Sequence, residues 1–250
     1  MTELSALIEY CNALLEINEF EDWCPNGLQV DAGAREIRRI VSGVTASLAL
    51  IDAAADLGAE LLLVHHGFFW KGEAAPLVGL KGRRIARLIQ GGIHLAAYHL
   101  PLDAHPELGN NRLLGEALGL PYPRPLKERG LLWGAELDQP MTPAALAERI
   151  GRVLDRPPLH LSGGRATLRR VAWCSGGAPR EVEQAAALGF DAYLSGEAAE
   201  ASIHLARELG IHFFAAGHHA TERLGVRALG DHLAERFGLE HRFIDIPNPV

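Results

Sequence analysis

Between residues 3 and 17, Leu4, Leu7, Ile8, Leu14 and Leu15 recur on one face of a 3.6-residue period, which predicts an amphipathic helix. The pattern then changes. Apolar runs at 37–44, 61–64 and 93–98 have the length of buried strands, and helical periodicity fills 47–57 and 81–90 between them. This β-α-β-α-β alternation predicts a parallel sheet with helices on its faces. Pro121, Pro123 and Pro125 interrupt the pattern and read as a linker. Beyond them come a strand at 131–137, a helix at 143–154 and a second β-α-β-α-β series from Leu168.

The second series echoes the first. Placed 131 residues apart, Arg38 and Arg39 fall on Arg169 and Arg170, Leu57 and Gly58 on Leu188 and Gly189, and Leu63 on Leu194. Further on the spacing shortens, and Gly92, Ile93 and His94 meet Gly210, Ile211 and His212. His99 then meets His218, and Asp103 meets Glu222. The shortening places a longer loop, 67–81, in the first half. The expected fold is therefore α/β: two similar three-layer α/β/α lobes, spanning 1–126 and 127–250, related by internal duplication.

With two such lobes, the histidines become informative. Ligands of open parallel sheets gather beyond the carboxyl ends of the strands. His65 and His66 follow one apolar run, His99 and Asp103 a second, and His218 and Glu222 a third. If the lobes face each other, one mixed histidine–carboxylate site lies between them. The four-residue spacing of His218 and Glu222 puts them on one helical face. His99 and Asp103 share that spacing, but Pro101 between them favours a loop. Gly67 gives the chain after His66 the freedom for both imidazoles to reach one region. His65, His66, Asp103, His218 and Glu222 exceed what one structural zinc needs, and suit a pair of Zn, Mn or Fe ions with open positions for water.

Other positions carry weaker signals. Glu197 falls on His66 in the echo, and reads as an acid/base group, a partner to a ligand or an ordinary helix-start acid. Residues 174–179 (CSGGAP) are either an anion cradle or a tight strand-to-helix turn. Residues 26–29 (NGLQ) signal a turn that can also touch substrate. Phe68, Phe69 and Trp70 suit loop anchoring or a subunit contact more than a pocket wall. His94 and His212 read as structural, and His105, His160, His204, His232 and His241 as solvated or structural.

Composition narrows the functional classes. A formal net charge of −7 argues against nucleic acid, which asks for clustered Lys and Arg. The 3 cysteines form no CxxC pair and no even framework, which fits a reducing cytoplasm. Glu3 and Glu9 with no basic start do not read as a signal peptide, and no apolar run is long enough to span a membrane. No P-loop or dinucleotide fingerprint occurs.

The strings NGLQV, VHHGFFW, YHLPLDAHPELGNN, SGE and GHHATER resemble the Nif-three-like family, the GTP cyclohydrolase I type 2 homologues, across essentially the whole chain. The resemblance maps the metal ligands to His65, His66, Asp103, His218 and Glu222 as a dinuclear site. It also implies intertwined lobes and a ring-shaped homohexamer with sites facing an inner cavity. Longer relatives carry a domain between the halves, for which the short proline segment here leaves no room. The implied activity is hydrolysis of a nucleotide-like small molecule, with water activated by metal and protons moved by His99 or Glu197. Arg35, Arg38, Arg39, Lys71, Lys81, Arg83 and Arg84 are available for phosphates, without a spacing that marks a triphosphate clamp. The rival expectation is a non-catalytic metal-binding ring that serves as metal chaperone, sensor or scaffold.

Overall fold

The computed structural model describes every residue except Met1, Ala34 and Arg35, so Arg35 as a phosphate contact lies outside the described residues. Contacts divide the chain into two compact units: Met1–Leu102 with Gly225–Pro247, and Asp103–Leu224 with Asn248–Val250. The boundary expected after residue 126 falls inside the second unit. The reason is packing: Leu114, Leu118 and Leu120 belong to the core built around Trp133 and Trp173. The proline segment is no free linker either, since Arg124–Pro125 pairs with Trp133 and Gly134. At the other end, Glu240–Phe243 pairs in parallel with Arg39–Ser42 and so returns the chain to the first unit. Among the described residues no helix is long and apolar enough to cross a membrane.

In the first unit a five-stranded sheet runs in the order Glu240–Phe243, Arg39–Thr45, Leu61–His66, His94–Ala97 and Gly27–Val30. The first four strands are parallel and the last is antiparallel, so the sheet is mixed rather than wholly parallel. Gly27–Val30 escaped the hydrophobic reading because four residues with Leu28 exposed carry little period-2 signal. The three central strands are buried on both faces, as continuous apolar runs in parallel sheets require. Val41, Leu62, Val64 and Leu95 meet Leu50, Ile51, Ile85 and Leu88 of the helices Leu48–Asp56 and Gly79–Gln90. Ser47 starts the first of these helices by accepting the Leu50 N–H at 3.2 Å, a capping bond that satisfies an otherwise open helix terminus.

The second unit has a six-stranded mixed sheet in the order Arg124–Pro125, Trp133–Met141, Leu168–Cys174, Ala192–Ser195, His212–Ala215 and Leu159–Leu161. Its three consecutive parallel strands are flanked by antiparallel ones. Side-chain alternation splits this sheet cleanly. Val171, Trp173, Leu194 and Phe214 pack with Leu114, Leu146 and Ile150 on one face. Ala172, Cys174, Tyr193 and Phe213 pack with Val182, Ala185 and Ala206 on the other. Helices therefore cover both faces.

Candidate metal centre

In the first unit, the strand Leu61–His66 pairs as far as Thr45 with His66, so both imidazoles are the strand's own last residues. His65 is fully buried, and its Nδ1 donates to the Tyr98 carbonyl at 2.9 Å. A carbonyl only accepts, so the proton sits on Nδ1 and Nε2 carries the ring's lone pair. The His66 ring is held by Thr45 Oγ1 at 3.3 Å and lies beside Trp70. His99 follows the next strand, and one nitrogen each of His65, His66 and His99 lies within 4.8 Å of the others.

What holds His99 was not evident in the sequence. Its Nδ1 donates to Asp22 Oδ1 at 2.6 Å, and its backbone N–H donates to Asn26 Oδ1 at 2.7 Å. The Asp22 carboxylate also accepts from Trp23 N, Asn26 Nδ2 and Leu100 N. Burial pushes Asp22 up, but the hydrogen bonds from His99, Asn26 and Leu100 and the charge of His99 prevail and hold it at about 2. The turn signal at Asn26 thus marks a residue that positions His99, and Gln29 likewise accepts from Phe68 N at 2.7 Å. Asp22 itself left no motif, being one carboxylate far from its partner in sequence. Cys24 also lies within 4.8 Å of Asp22 and His99. Burial and the Asp22 charge push its thiol up to about 12. In the loop, Phe68 is buried in the first unit's core, an anchoring role, and Trp70 stands edge-on to His99 at 5.0 Å.

Asp103 lies in the helix Leu100–Ala104, so the expectation of a loop there is corrected. Pro101 is its second residue, where no helical donor is lost. Asp103 is buried in the second unit, and its Oδ1 accepts from Asn110 Nδ2 at 2.8 Å and Ser175 Oγ at 3.1 Å. Asn111 ties the backbone of Asp103 to the sheet. Its Nδ2 donates to the Asp103 carbonyl, its Oδ1 accepts the Ser175 N–H, and its own carbonyl accepts Trp173 Nε1.

His218 opens the short helix His218–Thr221 and sits between two carboxylates. Its Nδ1 donates to Glu197 Oε1 at 2.6 Å and its Nε2 lies 3.1 Å from Glu222 Oε2. Burial disfavours its charge, but the hydrogen bonds and charges of Glu222 and Glu197 prevail and raise it to about 9. Glu222 is 3% exposed. Gly176 makes room for it: a Cβ at Gly176 would press on Glu222 Oε1, and its φ of 65° lies in the left-handed region. The backbone N–H groups of Ser175, Gly176 and Ala178 are taken by Asn111, Thr221 and Ser195. The 174–179 segment is thus a tight turn that seats a carboxylate, not an open anion cradle. His94 and His212 are buried and bonded to backbone, His94 to Ala32 N and His212 to the Arg165 carbonyl.

The donor set fits a divalent cation. It consists of imidazole nitrogen and buried carboxylate oxygen, with His65, His218 and Asp103 oriented by further hydrogen bonds, which is the usual support of metal ligands. The family model described as Duf34/NIF3 (NGG1p interacting factor 3) matches residues 2–249. The chain belongs to this family. A DUF34/NIF3 relative in Allochromatium vinosum, named GTP cyclohydrolase 1 type 2 homolog, is 55% identical over 251 residues, covering 100% of this chain and 98% of its own. The Escherichia coli relative of the same name is 48% identical over 250 residues, covering 100% of this chain and 99% of its own. Among solved structures, protein ybgI, described as of unknown function, superposes with a TM-score of 0.95 at 45% identity, covering 100% of both chains. TTHA1606 from Thermus thermophilus gives a TM-score of 0.90 at 36% identity, again over 100% of both.

Proposed function

We propose that this DUF34/NIF3 protein is a cytoplasmic, metal-dependent hydrolase that acts on a nucleotide-like small molecule. Two divalent ions, Zn, Fe or Mn, are held by His65, His66, Asp103, His218 and Glu222. The observation that carries this reading is the tautomer of buried His65, which the Tyr98 carbonyl fixes with Nε2 as the donor atom a cation needs. The buried carboxylates Asp103 and Glu222 support it, since a buried anion is stabilised by a cation. A bound divalent ion supplies Lewis acidity, which lowers the pKa of water and polarises a substrate oxygen. Glu197, half-exposed and bonded to His218, is the proton carrier of this reading. His99, expected as a second carrier, has its Nδ1 proton committed to Asp22.

The ring-shaped homohexamer belongs to the same proposal and is checked by the mass of the assembly in solution. So does internal duplication of the two units, which matched hydrogen bonds support. Glu60 Oε2 accepts the backbone N–H groups of Arg38 and Arg39, and Asp191 Oδ2 those of Arg169 and Arg170. Arg39 donates to the Leu57 carbonyl, and Arg170 to the Leu188 carbonyl.

The test is metal-replete protein assayed against nucleotide and pterin libraries, with His66→Ala as control. Metal-dependent turnover lost in His66→Ala is expected. Turnover that survives metal removal would sink the mechanism, and stoichiometric metal with no turnover would favour the chaperone, sensor or scaffold.

A further inference from the structure

We infer that the second unit carries a binding site for a small aromatic carboxylate, on the sheet face beside the proline segment. The site shares no residue with the metal centre, and the inference does not depend on the metal-binding reading.

Strand register builds the site. Arg124 pairs with Gly134 and Glu136 with Arg170, and residues two apart on a strand share a face, so all four lie on one face of the sheet. Gly134 leaves that row without a side chain near its middle. The Phe190 ring fills part of the clearance, since a Cβ at Gly134 would press on it. Beside it is a hollow of about 230 Å³, whose walls include Tyr122, Arg124, Glu136, Arg170 and Phe190. That volume suits one ring and a carboxylate, whereas pockets for larger ligands run to about 300–1,000 Å³.

Arg170 is held in place without being saturated. Its Nη1 donates to the Leu188 carbonyl at 2.8 Å and the Gly189 carbonyl at 3.1 Å, and its guanidinium lies 4.4 Å over the Phe190 ring. Nε makes no hydrogen bond to any described residue, and Glu136 Oε1 stands 3.5 Å away. Arg39 makes the corresponding carbonyl bond in the first unit, and its side chain is as exposed, 38% against 36%. Yet its Nε and Nη2 are both taken by Glu240, at 2.7 and 2.6 Å. The two arginines therefore differ in partners, not in access. With Arg124 exposed on the edge strand, two guanidinium groups stand against the one carboxylate of Glu136, and a ligand of single negative charge balances them. A carboxylate is the planar anion that a guanidinium fork grips with two parallel hydrogen bonds.

Tyr122 supplies a second ring. It is 88% exposed, and its φ of 47° lies in the left-handed region, between Pro121 and Pro123. A bulky side chain in that region is strained, and one so exposed recovers nothing from the core. A flat ligand in the hollow gives Tyr122 and Phe190 an aromatic face to pack on.

The experiment is benzoate binding to the full chain by saturation-transfer difference NMR titration, with far-UV circular dichroism as a check on folding. Saturable binding with a Kd of about 1 mM or tighter is expected. Arg124→Gln, at an exposed position, is expected to weaken it about tenfold. Tyr122→Asn, which tolerates the left-handed backbone, is expected to weaken it about 2–10-fold. Cyclohexanecarboxylate, with the charge but no aromatic face, and benzyl alcohol, with the ring but no charge, are each expected to bind more weakly than benzoate. Absence of saturable benzoate binding would overturn the inference. So would an affinity unchanged in both folded variants, or either control ligand binding as tightly as benzoate.

Discussion

In the first unit the parallel strands Arg39–Thr45, Leu61–His66 and His94–Ala97 lead to imidazoles. In the second, Leu168–Cys174, Ala192–Ser195 and His212–Ala215 lead to Glu197, His218 and Glu222. The strand order is alike, and the chemistry at the strand ends differs. That difference governs how each unit is built. A histidine needs one acceptor to fix its tautomer, and a backbone carbonyl or a single carboxylate suffices. A buried carboxylate needs several donors, and for Asp103 the second unit supplies them through Asn110 and Ser175. The cores follow suit. The first is mostly aliphatic, with Phe68 in it, while the second carries Trp133 and Trp173, the latter anchored by its indole N–H to Asn111.

The largest expected effect comes from removing that anchor. Trp173→Ala should destabilise the protein by about 3–5 kcal/mol through the cavity left, read from chemical denaturation, whereas Ile51→Val in the aliphatic core should lose only about 1 kcal/mol. A Trp173→Ala loss near that of Ile51→Val would show that the aromatic core is not what rigidifies the carboxylate side.

Next comes Asn111→Ala, which leaves the buried Ser175 N–H without its acceptor and the Asp103 carbonyl without its donor. A loss of about 2–3 kcal/mol is expected, together with weaker metal binding. Unchanged metal affinity would detach Asn111 from the centre and leave it a purely structural residue.

The matched carboxylates offer a direct test of likeness between the units. Glu60→Ala and Asp191→Ala each remove an acceptor of two backbone N–H groups at the surface. Each should lose about 1 kcal/mol. Markedly unequal losses would mean that the shared pattern of hydrogen bonds does not carry shared energetics.

The smallest effect concerns His160, found in the second unit alone. Burial lowers its pKa below 6.5, with the neighbouring His212 adding to the shift. Its contribution to stability is therefore full above the unfolded value and declines as pH falls from about 6.5 through the lower folded value. The His160 ring resonances should titrate below 6.5, and His160→Gln should slightly flatten the acid limb of the stability profile. A titration above 6.5 would reverse the sign and refute the assignment.

Much of this architecture was legible in the chain. Apolar runs ending in polar residues located the central strands, because strands buried on both faces leave a continuous signal. Helical periodicity placed the starts of the helices Leu48–Asp56 and Pro143–Leu154 within a residue, and Ser47 and Thr142 cap them. Edge strands such as Gly27–Val30 and Leu159–Leu161 left no such trace, being short and partly exposed. Pro101 misled because a proline mid-spacing looks like a breaker, and only the helix start at Leu100 shows it in the first turn.

What the sequence determined by itself was the identity and order of the candidate metal-ligating side chains, because donor type and strand-end position are properties of the chain. What only the tertiary structure decided was their state. The proton on His65 is placed by the Tyr98 carbonyl, and the one on His99 by Asp22, 77 residues away in the chain. The room for Glu222 is made at Gly176. Tautomer, charge and clearance depend on neighbours that meet only after folding, and no local pattern of residues encodes them.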